Sequence, residues 1–520
     1  EVGDAVAEPF DGGAAAAAGE HATAGERGPR ATLLYPRGDL RQSAENSPSR
    51  WLLGTARALE AAARTRAGAG SGARLRSRFD AGYVDGENLA AAAGDTAIPD
   101  IVASASYVQG LATTDFPATQ QEYDAADLHA ATSRSHRPLG IMRGHRLFQA
   151  GGPLRMGVDL AAARRSSEFT RFDGYLGVDP GLTGHLLDRP VSASALQKWA
   201  TCPRAFMFEQ LLGVSELEEP DVVLRMSPLE RGLLMHDAVD AFLAPMIEKK
   251  RAPGPNHAYT NADRARLAEA VEAKLAASTE AGLSGRALFV EIDHRRIRRD
   301  MAEFCDRDAQ RRPGGEAVAS EYGFGIPARN GEPAAPAVRY RLPDGRELTF
   351  RGAIDRVDRA AEGLVVTDYK AGRYDFYSDS VIKENPTNFG KQLQPAIYSI
   401  VAAERFGPDD DPEPRWEEAV AQAGYWFFTS RPGGWRHVDM QPDATVRAGV
   451  DEVLSKIATG ISKGVFPGRS DETMSVLYGH WCACCIPDGL GTWEFHQRWE
   501  RKSATRKMAP YVDLVEPAGA

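Results

Sequence analysis

The run GAIDRVDRAAEGLVVTDYKAG (352–372) decides how this 520-residue chain reads. Two extended stretches, LTFRGAIDRVDR and LVVTDYK, flank the short turn AAEG. Their β-branched residues and the turn between them mark adjacent strands. Asp355 and Asp368 fall on these strands, 13 residues apart across one turn. Lys370 follows Asp368 by two positions and so shares its sheet face. Two carboxylates about 4 Å apart would repel by roughly 4 kcal/mol at an effective dielectric near 20. A divalent cation between them removes that conflict, and hard cations prefer carboxylate oxygens. A lysine beside them can stabilise developing negative charge, so the set suits metal-dependent phosphodiester hydrolysis. On its own, D-x-K also fits a surface Asp–Lys pair on a hairpin. Asp355 on the neighbouring strand favours the metal site.

Working outward, Pro343-Asp344-Gly345 forms an earlier turn, and LQPAIYSIVAAERFG (393–407) reads as a helix with Pro395 in its first turn. Gln394 and Tyr398 lie four apart on one face of that helix, able to hydrogen-bond a phosphate or a base edge. AGYWFFTS (423–430) reads as a further strand. Upstream, VSASALQKWATCPRAFMFEQLLG (191–213) begins a helix with Ser194 and Gln197 at capping-box spacing, broken by Pro203 just after Cys202. Helices follow in SPLERGLLMHDAVDAFLAPMIEKK and NADRARLAEAVEAKLAAS. In the first of these His236 borders an apolar face of Met235, Val239, Phe242 and Met246. It is either a structural histidine or a neutral imidazole ligand, which favours Mn²⁺ or Fe²⁺ over Mg²⁺. The order helix, meander, helix, strand describes a mixed α/β domain.

Composition sets the bounds. A net charge of −10 counts against a bulk electrostatic DNA binder but leaves a nuclease open, because metal sites are themselves acidic. DHRRIRRD (293–300) and RSHRPLGIMRGHR (134–146) are local basic stretches that also read as solvated helix faces. No apolar run approaches the roughly 18 residues of a membrane helix. The acidic start is not a signal peptide, and the lack of an initiator Met suggests a piece of a longer chain. The five cysteines, Cys202, Cys305, Cys482, Cys484 and Cys485, are too few for a secreted disulfide framework and fit a reducing cytoplasm with a metal or cluster site. Residues 1–30 read as disordered or as a truncated edge, and 47–67 as an Ala- and Leu-rich helix. A boundary is expected near Arg189-Pro190, with the catalytic domain over 191–510.

The motifs in order are Cys202-Pro203, Gly232 with His236, Glu321 in SEYGFG, GAIDRVD, DYKAG, Gln394 with Tyr398, and Cys482 with Cys485. This set resembles the PD-(D/E)XK nuclease superfamily, specifically its RecB/AddB-like branch, over about 192–510. The resemblance implies a restriction-endonuclease-like core, a mixed central sheet flanked by helices. Residues 31–190 are then a mainly helical, helicase-like segment, and no G-x-x-x-x-G-K-[ST] occurs in the chain. It implies that His236, Asp355 and Asp368, with the Tyr369 carbonyl, bind Mg²⁺ or Mn²⁺. Lys370 is then the catalytic lysine, Gln394 and Tyr398 support catalysis and hold the strand, and Glu321 is a further acidic residue. Relatives with an iron–sulfur staple close with C-x-x-C-x₅-C, but Gly491 stands where the last cysteine belongs. Cys202, Cys482 and Cys485 match, and Cys484 adjoins one of them. This leaves open a [4Fe-4S] cluster with another ligand, a Zn²⁺ site, or a relic without metal. Cys305 reads as a buried apolar thiol.

The activity implied is a metal-dependent DNA exonuclease of double-strand-break repair, the C-terminal part of an AddB-like helicase–nuclease, with DNA and a helicase subunit as partners. A free-standing single-strand exonuclease similar to those of CRISPR adaptation and a catalytically silent scaffold for DNA and helicase are the alternatives. The long N-terminal segment argues against the first, and intact Asp355, Asp368 and Lys370 against the second.

Overall fold

The computed structural model describes residues 50–66, 116–133, 138–179, 186–214, 225–251, 258–311, 315–326, 335–372, 385–408, 415–430, 434–469 and 492–516, with single positions at 136, 181 and 183. The chain divides into two compact units, Glu1–Phe148 and Gln149–Ala520. The first contains α1 (Arg50–Arg66), α2 (Gln120–Thr132) and α3 (Pro138–Gly144). Helix α1 buries Leu53, Ala56, Glu60 and Ala63, a stripe at helical spacing. Helix α2 starts at a capping box of Thr119 and Glu122.

The second unit opens with α4 (Pro153–Arg165), α5 (Ala193–Thr201) and the single turn α6 (Pro203–Phe206). Then come α7 (Pro228–Glu248), α8 (Asn261–Glu280) and α9 (Ala287–Arg311). Residues 149–190 pack with this unit, on the same side of the division as everything after Arg189-Pro190. Phe169 and Leu186 share a core with Trp199 and Phe466. Lys502, 3% exposed, donates to Ala163 O at 2.7 Å, Glu168 O at 2.8 Å and Asp173 Oδ2 at 2.8 Å. An ammonium with three acceptors is fully satisfied, and it ties the segment after α4 to the C-terminal helices.

The strands are β1 (Glu316–Phe324), β2 (Val338–Arg341), β3 (Glu347–Phe350), β4 (Gly352–Ala360) and β5 (Gly363–Lys370). Helix α10 (Gln394–Phe406) and the turn α11 (Trp416–Ala419) lead to β6 (Val420–Phe427) and β7 (Arg436–Met440). Helices α12 (Ala444–Ser462), α13 (Thr492–Lys502) and α14 (Ala509–Val515) close the chain. One five-stranded sheet runs β1-β4-β5-β6-β7, antiparallel except where β6 lies parallel to β5 after the α10 crossover. This is the mixed sheet flanked by helices that the sequence implied.

The period-2 alternation of the strands builds two cores. Leu364, Val366, Tyr425 and Phe427 face α5, α10 and α12, meeting Trp199, Ile397, Val401 and Leu454. Val365, Tyr369 and Trp426 face the other way, where Tyr369 and Trp426 join Met235, Val239, Leu267, Ile297 and Phe304 of α7, α8 and α9. Trp199 is wholly buried, and a Cβ at Gly460 would fall 2.1 Å from its ring, so only glycine lets α12 approach it.

Two local expectations need correction. The stretch LTFRGAIDRVDR is not one strand. Thr349 O accepts from Val191 N at 2.8 Å and Arg351 N donates to Val191 O at 3.1 Å, so the chain breaks at Arg351 and β3 pairs only with β2 in a separate ribbon. Helix α5 is capped by Ser192, whose hydroxyl accepts from Ala195 N, rather than by a Ser194–Gln197 box. Among the described residues no helix is long and apolar enough to cross a membrane.

Candidate active site

The β4–β5 ladder pairs Arg356 with Thr367, and carrying that register one residue on sets Asp355 across from Asp368. On the other side of β4, Ser320 pairs with Arg356 and Tyr322 with Ile354, so Glu321 of β1 sits across from Asp355. Three carboxylates therefore stand in a row over three neighbouring strands. Glu321 reaches this position at a cost, because its φ is 44°, a left-handed conformation rare for a residue with a Cβ. Such strain persists only where the surroundings enforce it, and it gathers at functional sites.

His236 comes to the row from α7. That helix starts at a capping box of Ser227 and Glu230 and crosses the end of β5, where Arg231 donates to Ala371 O at 3.4 Å. The imidazole Nδ1 lies 3.2 Å from Glu321 Oε1 and 3.5 Å from Asp355 Oδ1, and Nε2 lies 3.1 Å from Tyr369 O. Burial favours the neutral ring, but the charge of Asp355, followed by Glu321, outweighs it and pushes His236 up to about 10. For Asp355 burial again opposes charge, yet His236, Lys370 and the Tyr369 N–H, which donates at 2.6 Å, hold its carboxyl below the usual range. Asp368, 2% exposed, is pushed up to about 6 by burial, with Lys370 opposing and Asp355 adding.

Lys370 Nζ is 2.5 Å from Asp368 Oδ2, donates to Gln394 Oε1 at 2.9 Å, and lies 5.1 Å from the Tyr425 ring centroid. Gln394 Nε2 is 3.5 Å from the Tyr398 hydroxyl. Tyr398 is buried, which holds its phenol protonated far above the usual value. His236, Glu321, Asp355, Asp368, Lys370, Gln394 and Tyr398 all line one cleft of about 480 Å³. The site residues expected from β1, β4, β5, α7 and α10 are thus brought together.

The donor atoms of His236, Glu321 and Asp355 lie within 4.8 Å of one another. Carboxylate oxygens with one imidazole fit Mg²⁺ or Mn²⁺, and the Asp368 carboxylate stands across the ladder from this group. Among the described residues no other cluster of three such groups meets that spacing.

A sequence profile of the PD-(D/E)XK nuclease superfamily matches residues 190–486, more than half of the chain. The chain belongs to the PD-(D/E)XK nuclease superfamily. Among curated proteins it is 29% identical over 217 residues to an ATP-dependent helicase/deoxyribonuclease of Acetivibrio thermocellus, in its B-type chain, covering 40% of this chain and 17% of that one. It is 32% identical over 231 residues to the protein of the same name from Desulforudis audaxviator, covering 42% and 18%. The matched segment spans less than a fifth of the length of either relative.

Within this nuclease core two residues escaped sequence reasoning. Gln197 bonds the chain at Leu393 and Gln394. Arg356, wholly buried on the far face of β4, donates to Asp358 at 2.7 Å and Asp308 at 2.7 Å, and Asp308 also accepts from the Tyr259 hydroxyl at 2.6 Å. Arg356 stands in the GAIDRVDR run, and alternation alone places it opposite Asp355's face. Its partner Asp308 carries no local signal. Cys202 is buried at the end of α5. Just beyond it Arg204 N donates to Pro467 O at 3.2 Å, and the Arg204 guanidinium lies 5.6 Å from the Phe495 ring centroid. Cys482, Cys484 and Cys485 lie outside the described residues. Cys305 is buried among apolar neighbours, and burial pushes its thiol up to about 12, in line with a packing residue.

Proposed function

We propose that this chain is the nuclease part of a helicase–nuclease and degrades DNA from an end with Mg²⁺ or Mn²⁺, during double-strand-break repair in the cytoplasm. One observation carries the reading. His236, Glu321, Asp355, Asp368 and Lys370 converge on one cleft in a chain of nuclease family. The likeness to helicase/deoxyribonuclease proteins supports a motor partner, with residues 31–190 as a helicase-like segment and 191–510 as the nuclease domain.

His236, Asp355, Asp368 and the Tyr369 carbonyl hold the cation, joined by Glu321. When bound, a divalent cation polarises a phosphoryl oxygen and makes water a nucleophile at neutral pH. Lys370, held between Asp368 and Gln394, presents its ammonium to the charge that develops on the phosphoryl group. Gln394 and the protonated Tyr398 hydroxyl hydrogen-bond the strand.

The test is degradation of 5′- and 3′-labelled linear strands and of circular single strands by the purified chain with each metal. Linear DNA should shorten from an end while circles persist. Lys370→Ala should lower kcat by roughly 10²–10³ with the melting curve intact. Cleavage of circles at the rate of linear strands would remove the exonuclease reading, and wild-type rates in Lys370→Ala would remove the site.

A further inference from the structure

Helix α10 begins without a cap of its own. Its N-cap residue is Leu393, which has no side-chain oxygen, and Pro395 in its first turn has no N–H. The first N–H groups of any helix need an acceptor from elsewhere. That acceptor comes from α5, 196 residues earlier in the chain. Gln197 Oε1 accepts from Leu393 N at 2.7 Å and from Gln394 N at 3.0 Å. Two backbone donors on one atom fix which end of the amide is oxygen.

The residue held in this way is the one that orients the lysine. Gln394 Oε1 accepts from Lys370 Nζ at 2.9 Å, and its amide nitrogen meets the Tyr398 hydroxyl at 3.5 Å. A continuous line of hydrogen bonds therefore runs from α5 through the first turn of α10 to the ammonium. Apolar packing between α5 and α10 sets their separation but not the rotation of the first turn, because it has no direction. The two bonds to Gln197 supply that direction.

We propose that Gln197 is a positioning residue for the reaction. By capping α10 in place of Leu393 it fixes the Gln394 amide and so the location of the Lys370 ammonium. It touches neither substrate nor reacting atoms. The inference rests on the nuclease reading and on Lys370 as the group that acts.

Gln197→Met keeps the side-chain length and removes the acceptor, whereas Gln197→Glu keeps an acceptor oxygen. In the full chain with Mn²⁺ and a linear single strand, Gln197→Met should lower kcat roughly ten- to a hundredfold with KM within about twofold, as expected for a small misplacement of a catalytic group. Gln197→Glu should recover most of the loss. In a Gln394→Ala background Gln197→Met should add little, because the line is already cut. Kinetics are normalised to the folded fraction read from melting curves. Wild-type kcat per folded Gln197→Met molecule, or full additivity with Gln394→Ala, would make Gln197 a structural cap and overturn the proposal. If Lys370→Ala abolishes cleavage while Gln197→Met does not, only this inference falls. If the wild type cuts no DNA with either metal, the nuclease reading falls and takes this one with it.

Discussion

Asp355 and Asp368 face each other across the β4–β5 ladder, and their surroundings drive them apart in acidity. Asp355 accepts from the Tyr369 N–H at 2.6 Å and lies beside His236, which keeps it ionised. Asp368 is equally buried and feels the charge of Asp355, so it holds its proton up to about pH 6. A pair of like groups in one dry site separates in this way because both cannot ionise cheaply without a cation.

Removing the Asp368 charge should therefore stabilise the metal-free fold. Its folded pKa of about 6 lies above the unfolded value near 3.9, so its contribution is full below about pH 4 and is lost as pH rises through 6. Asp368→Asn should raise the stability of metal-free protein at pH 7.5 by about 1–3 kcal/mol while abolishing cleavage. Urea unfolding in EDTA measures it, and an unchanged or lower midpoint contradicts the burial argument.

Metal binding should release a proton from His236. The ring is pushed up to about 10, so at pH 7 it is charged and must deprotonate to become a ligand. Mn²⁺ affinity should rise by about tenfold per pH unit between pH 7 and 9. The slope should flatten in His236→Gln. Calorimetric titrations in buffers of different ionisation enthalpy read both affinity and protons, and a slope equal in wild type and variant would exclude His236 as a ligand.

Glu321 separates backbone strain from side-chain chemistry. At φ 44° a glycine sits without penalty and an alanine does not. Glu321→Gly should be more stable than Glu321→Ala by about 1 kcal/mol, and both should bind Mn²⁺ roughly 10–100-fold more weakly than wild type. Equal stabilities would mean that β1 relaxes once the carboxylate is gone.

Arg356 should prove essential to folding rather than to chemistry. Its loss leaves Asp308 and Asp358 buried without a counter-charge. Arg356→Ala should cost about 3–5 kcal/mol. Arg356→Lys should not restore it, because an ammonium cannot make the same forked contacts. Denaturant midpoints decide, and a loss below about 1 kcal/mol would mean that water enters to solvate the two acids.

The cysteines give a prediction of their own. The turn after Cys202 touches Pro467 on one side and Phe495 on the other, the two flanks of the segment that carries Cys482, Cys484 and Cys485. Anaerobically purified protein should carry iron with sulfide, or zinc, and Cys202→Ser should lose it. A link closing so long a loop adds roughly 4 kcal/mol in the chain-entropy account, so the variant should melt earlier. Wild-type protein free of iron, sulfide and zinc would reduce these thiols to packing residues.

The sequence by itself determined the strands that carry Asp355, Asp368 and Lys370, the helices of His236 and Gln394, and the sharing of one sheet face by the acids and the lysine. These follow from alternation, helical spacing and turn residues, which act over a few positions and leave the same mark in any fold. Glu321 was present in the motif order, but its place beside His236 needed the β1–β4 register and a left-handed residue that no propensity favours. Tertiary structure alone decided the break at Arg351, the buried partners of Arg356 and the capping of α10 by Gln197. Each joins groups 48 to 196 residues apart in sequence or depends on a pairing with Val191 far upstream. Local spacing fixes which way a side chain points from its own element. What it meets there is set by how the elements pack, and buried polar groups then bond whichever partner that packing brings within reach.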